Sequence, residues 1–382
     1  MLAQRQSPAK QIKSEMATEI SVCVLRNGIQ YTDPLWIGNN PMKEQYLLPP
    51  AVTDNLGQVR KAGFEFEFGN LPILQTAQAL QQALGGELDN ISPFEAVLHD
   101  SILGKLKVER DADILKSVKY RKWLEQLGIG FSPGSLAHGI EANIDNASRI
   151  LIPCEVVTEP IPFDQLDKLD TLIATLNSLG AEGTQDSFIY AFGLHINPSL
   201  PAGDAPTIRK YIQAFLLLHS WIIESSGIDI TRRFLTKYID PFPQAYMELV
   251  LSSTYAPGMK TLINDYLEHN PTRNRALDML PILCDIDKKR VLNAVNEEER
   301  NLIKGRPAFH YRLPDCKVNV PGWSTAAPWN QWVYIEKLAG DELLLFDLIG
   351  EWRETNDRFS IAPRTSWTMR LTSLLSQKYF ER

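Results

Sequence analysis

Cysteine is scarce in this 382-residue chain: Cys23, Cys154, Cys284 and Cys316 lie far apart and form no CxxC pair. Neither a disulfide framework nor a structural zinc is indicated, and reduced thiols in the cytoplasm are the expectation. Long apolar runs are also missing. The longest, around 214–218, is far short of the roughly 18 residues that span a bilayer, so no membrane partner is expected. The first fifteen residues have no apolar segment behind their basic residues and read as a leader without a secretory signal. Positive charge is not in excess: 39 Lys+Arg against 46 Asp+Glu leave a net charge of −7, which argues against a nucleic-acid partner held by its phosphates. No GxxxxGK[ST] loop, kinase signature set, GxGxxG turn or GxSxG elbow occurs, which disfavours the nucleotide folds and serine hydrolases built on them.

What is present is patterning of a globular protein, with 44% apolar and 22% charged residues. Phe64-Glu65-Phe66-Glu67-Phe68 alternates with the period of a half-buried strand. Ile73, Ala77, Leu80 and Leu84 then make a helical stripe that stops at Gly85-Gly86. Strands are expected over 105–110, 150–157, 187–197 and 308–313, an edge hairpin near 20–31, and a helix capped by Asp164 with its stop at Gly180. From 207 to 285 the pattern is helical, in segments near 207–226, 243–253, 258–269 and 272–284, and two amphipathic helices close the chain. The organisation expected is an N-terminal extension (1–58), a catalytic domain (59–340) with a helical insertion at about 200–305, and a C-terminal helical extension (341–382). The fold class is α+β: a curved, mainly antiparallel sheet with helices on its outer face.

Three strands carry one chemical face. Glu65 and Glu67 share a side of the first, their Cβ atoms about 6.5–7 Å apart. In the segment 190–197, Tyr190, Phe192, Leu194 and Ile196 face one way, and Ala191, Gly193, His195 and Asn197 the other. A wet face has no reason to select Ala and Gly; tiny residues beside His and Asn indicate close approach of a ligand. The last strand sets Phe309, Tyr311 and Leu313 against Arg306, Ala308, His310 and Arg312. Taken singly, each glutamate fits a solvated face, His310 a satisfied core histidine and Arg312 a salt bridge; together they define a shared site. Glu65, Glu67, Glu155 and His195 suit Mg²⁺ or Mn²⁺, and the arginines suit phosphate. Trp323, Trp329 and Trp332 read as core.

In order and spacing these motifs resemble the amidoligases, a family of the carboxylate–amine ligase superfamily that includes glutamine synthetase and glutamate–cysteine ligase. The matching elements are Gly63-Phe-Glu65-Phe-Glu67, Lys107-Val-Glu-Arg-Asp111, Glu155-Val-Val-Thr158-Glu-Pro160, Gly193-Leu-His195-Ile-Asn197 and Phe309-His310-Tyr311-Arg312, over roughly 60–340. The resemblance implies a glutamine synthetase-like catalytic domain and ATP-dependent joining of a small-molecule or peptide carboxylate to an amine through an acyl-phosphate. By position, Glu65, Glu67 and Glu155 become metal ligands and His195 a ligand or phosphate contact. Asn197 and Arg312 attend the nucleotide, with Arg312 holding phosphate and Arg306 assisting. One departure stands out: relatives carry Glu-x-Arg where this chain has His310-Tyr311-Arg312. Arg273, Arg275 and Asp111 are candidates for an acidic substrate, in a segment, 270–278, expected to open a helix; capping by Asn270 and solvated arginines are the plain alternative. Two further function classes are carried: a small-molecule phosphotransferase on the same fold, and a non-catalytic nucleotide or metabolite binder.

Overall fold

The protein is described by a computed structural model covering residues 44–110, 153–183, 192–227, 239–357 and 363–380. The expected hairpin at 20–31, the leader, Cys23 and Asp111 lie outside these residues, as do the first residues of two expected strands, 150–152 and 187–191.

Strand β1 (Lys61–Phe68) takes the alternation of its sequence literally, with Phe64, Phe66 and Phe68 fully buried. Helix α1 (Ile73–Leu84) buries Ile73, Ala77, Leu80 and Leu84, and ends at Gly85, whose φ of 73° suits a residue without a Cβ. Strands β2 (Glu87–Ser92), β3 (Glu95–Ser101) and β4 (Gly104–Arg110) follow as a meander. The polar sequence of β2 gave no strand signal, and it lies at the sheet edge with no residue fully buried. After β5 (Cys154–Thr158) and the short β6 (Ile161–Pro162) comes a correction. Asp164 caps no α-helix; a 3₁₀ turn runs over Phe163–Lys168, and α2 (Leu169–Ser178) begins only afterwards. The cause is visible in the spacing: Phe163, Leu166 and Leu169 recur every three residues, the 3₁₀ period, before the pattern relaxes to Leu172, Ile173 and Leu176.

Strand β7 (Leu194–Pro198) precedes α3 (Ala205–Ser225), which Asp204 caps by accepting from Thr207 N at 2.8 Å. Helices α4 (Gln244–Val250) and α5 (Met259–His269) match expectation. The expected helix at 272–284 does not: 270–276 is a loop, β8 (Leu277–Asp278) joins the sheet, and α6 (Leu280–Ile286) starts later. Side chains favour the loop. Thr272 Oγ1 donates to Glu299 Oε1 at 2.7 Å, and Asn274 Nδ2 donates to Asp240 Oδ2 at 2.9 Å. Helices α7 (Lys288–Ala294) and α8 (Glu297–Leu302), strand β9 (His310–Tyr311), and helices α9 (Ala326–Gly340), α10 (Glu342–Asp357) and α11 (Pro363–Leu375) complete the order. Among the described residues the C-terminal region thus holds three α-helices rather than two.

Among the described residues the sheet is open and antiparallel, in the order β2-β3-β4-β5-β1-β7-β9-β8, with β6 also paired to β1. This is the mixed helix-and-sheet class expected. Its apolar face is aromatic. Phe64 meets Trp329 of α9 at 6.4 Å, Phe309 stacks on Tyr211 of α3 at 4.7 Å, and Tyr311 lies 5.7 Å from Trp332. Trp329 and Trp332 are fully buried, as expected of core residues. Trp367 of α11 donates its Nε1 proton to Leu217 O at 3.0 Å, fastening the last helix to α3. No described helix is long and apolar enough to cross a membrane.

Candidate active site

The register lines up chemistry in rows across the other face. Glu65 on β1 lies opposite His195 on β7, and Gly63 opposite Asn197. Because Tyr311 pairs with both Ile196 and Leu277, and His310 with Asp278, the polar neighbours Asn197, His310 and Asp278 fall in the next row. Glu65 is the hub. Its Oε2 meets His195 Nδ1 at 2.9 Å, and its Oε1 accepts from Asn197 Nδ2 at 2.8 Å. Arg306 donates to Asn197 Oδ1 at 2.9 Å and to Glu65 Oε1 at 3.4 Å. His310 Nε2 stands 3.9 Å from Glu65 Oε2, and its Nδ1 is 3.2 Å from Asp278 Oδ2. The imidazoles of His195 and His310 cross edge-on, with ring centroids 5.2 Å apart.

A second row is acidic. Glu67 lies opposite Glu155, Glu155 opposite Glu109, and Glu109 opposite Glu95, one carboxylate on each of four neighbouring strands. Strands about 4.8 Å apart bring like charges close, an arrangement that favours a cation. Lys107 answers part of it, reaching Glu109 at 2.7 Å and Glu95 at 3.5 Å. Glu67 is buried, accepts from Gly193 N at 2.7 Å through Oε2, and holds Oε1 3.6 Å from His195 Nε2.

Burial alone raises the Glu65 pKa, but the His195 hydrogen bond and the Arg306 charge outweigh it and hold the carboxyl well below the usual range. Burial likewise opposes ionisation of Asp278, and the His310 hydrogen bond and Arg273 charge lower its pKa. Burial pushes His310 down to about 3, so its ring is neutral at physiological pH. The face therefore offers ionised oxygen donors and the neutral His310 ring, and Glu65, His195 and His310 present ligand atoms all within 4.8 Å of one another.

Of the residues singled out in sequence, Glu65, Glu67, His195, Asn197, Arg306 and His310 converge, and Glu155 stands beside Glu67. Arg312 lies two residues beyond His310 and donates to Arg273 O at 2.7 Å. The alternative reading of Arg275 as a solvated charge is corrected. It is 7% exposed, donates to Asn270 Oδ1 at 2.8 Å, and rests over the Phe242 ring. Arg273 is also engaged, with Asp278 at 3.3 Å and Leu302 O at 3.1 Å, so both arginines pin the 270–276 loop. Asp278, Glu109 and Glu95 were missed. The 3.6-residue reading of 272–284 hid Asp278, whereas Glu109, alternating with Leu106 and Val108, was on view as a strand-face residue.

A family model described as "putative amidoligase enzyme" matches residues 58–334, and the chain belongs to this family of ligase-type enzymes. No curated protein and no solved structure matches it.

Proposed function

We propose that the protein is an ATP- and Mg²⁺-dependent carboxylate–amine ligase, with Mn²⁺ as an alternative ion, forming an amide through an acyl-phosphate. The observation that carries this reading is the single polar face of β1, β7 and β9, with Glu65, His195, Asn197, Arg306 and His310 in mutual contact inside the family match. The donor set fits a divalent cation: Glu65, Glu67 and Glu155 offer hard oxygens and His195 a nitrogen, and such an ion neutralises phosphate charge. Arg306, 38% exposed, and Arg312 are the cations suited to a transferring phosphoryl group. In the first step a carboxylate oxygen attacks the γ-phosphorus and ADP leaves. In the second the amine nitrogen attacks the acyl carbon, the acyl C–O bond breaks, phosphate departs and the nitrogen loses a proton. The acceptor is an anionic small molecule or peptide.

Incubation with ATP, Mg²⁺ and pools of carboxylates and amines tests the reading. ADP and phosphate accompanied by an amide are expected, whereas a phosphorylated product without an amide makes the protein a phosphotransferase. His310 in place of the family's glutamate favours one other reading, a binder without turnover; retained nucleotide binding with no product would establish it. Glu65→Gln and Glu67→Gln are each expected to abolish Mg²⁺-dependent turnover with the fold intact, and unchanged Mg·ATP affinity in both, by calorimetry, would remove them from the metal site.

A further inference from the structure

We infer that Glu65, His195 and His310 form a resident site for a late first-row transition-metal ion of the Zn²⁺ or Co²⁺ type, chemically distinct from the Mg²⁺ that accompanies a nucleotide. The site takes His195 and Glu65 from the donors of the ligase reading, leaving Glu67 and Glu155 to the nucleotide's Mg²⁺, and rests on that reading only for what the ion would do there. The inference stands on the nitrogen donors. His195 and His310 are 4% and 1% exposed, and the Nε2 atom of each is buried without a hydrogen-bond partner. The His310 Nε2 orphan faces Glu65 and is costly unless an ion answers it, whereas the His195 Nε2 orphan faces Glu67.

The geometry is that of imidazoles backed by carboxylates. Asp278 engages His310 Nδ1 at 3.2 Å and leaves Nε2 facing Glu65. Glu67 Oε1 lies 3.6 Å from His195 Nε2, and His195 Nδ1 faces Glu65. Each ring thus has one nitrogen toward a backing carboxylate and the other toward Glu65 Oε2, the pattern that fixes the tautomer and raises the basicity of a metal-bound histidine. Separations of 2.9 and 3.9 Å from that oxygen bracket the roughly 3.3 Å expected between donors of a tetrahedral ion with bonds near 2.0–2.1 Å. Coordination through His195 Nδ1 replaces its hydrogen bond with Glu65 and leaves Nε2 facing Glu67. Two imidazoles and one carboxylate are too nitrogen-rich for Mg²⁺, which demands oxygen and retains water, and they suit Zn²⁺ or Co²⁺. The asymmetry originates at one position, His310, where the related strand carries glutamate.

The test uses the full chain, stripped with chelator and titrated with Co²⁺ in millimolar Mg²⁺ without nucleotide. The expected result is one Co²⁺ per chain by elemental analysis, with visible absorption bands unlike those of aqueous Co²⁺. His310→Gln and His195→Gln are each expected to lose those bands, and Asp278→Asn to weaken binding about 10–100-fold, circular dichroism reporting that each variant folds. Displacement of Co²⁺ by Mg²⁺, or unaltered Co²⁺ binding in whichever histidine variant folds, overturns the inference. His310-dependent Co²⁺ binding in a protein that makes no amide upholds the metal site and defeats the ligase reading alone.

Discussion

Arg60 and Glu336 form a bidentate pair at 2.7 and 2.8 Å with both side chains 1% exposed. Every neighbour is recruited to satisfy it. Arg60 also donates to Ser199 O and Ala51 O, while Tyr211 and Trp332 donate to the Glu336 carboxylate at 3.0 and 2.7 Å. The pair ties the residue before β1 to α9 and to Ser199, the residue after β7. Removing one member of such a pair leaves the other charge buried and unanswered, so Glu336→Gln is expected to cost about 3–5 kcal/mol in urea unfolding. A loss below about 1 kcal/mol would mean that water reaches Arg60. Neither residue was evident in sequence, because a buried ion pair 276 positions apart leaves no local pattern.

At the scale of elements, the 270–276 loop is held by its own arginines, Arg273 on Leu302 O and Arg275 on Asn270. Arg275→Ala is expected to destabilise the fold by about 1–3 kcal/mol, because Asn270 loses its partner in a dry pocket, while the KM for the carboxylate stays unchanged. A raised KM at unchanged stability would restore Arg275 to the substrate. Elements whose period was carried by many residues were legible: β1, α1 and α3 lie where alternation, stripe and helical pattern put them. Those set by long-range pairing were not. Strand β8 is two residues long and exists because Leu277 and Asp278 pair with Tyr311 and His310, and β2 is polar because it is an edge. The site was legible to the same degree. Residues on alternating strands were visible as a face, whereas Asp278 became part of it only through a fold contact 32 residues away.

At the scale of the whole molecule, burial makes stability respond to alkali. Burial pushes the Cys154 thiol up to about 11, with the Arg110 charge only partly offsetting it. The unfolded chain loses this proton first, so the contribution is complete below about pH 9 and fades as pH rises toward 11, at up to about 1.4 kcal/mol per pH unit. Stability measured from pH 8 to 11 should fall with a slope that Cys154→Ala makes shallower; identical slopes would exclude the thiol as a cause. The native protein should also leave Cys154, Cys284 and Cys316, all buried, unlabelled by thiol reagents. The two-faced sheet has a consequence of another kind, for the lengths a descendant of this gene can have. Within Phe64–Glu67 or Leu194–Asn197, adding or deleting a single residue behaves like a frameshift: every later side chain of that strand changes sides, driving carboxylate and imidazole among Trp329, Trp332 and Phe309 and turning phenylalanines toward the site. Between strands the same change only alters a connection, so length variation in descendants should gather in the joins and spare the ladders.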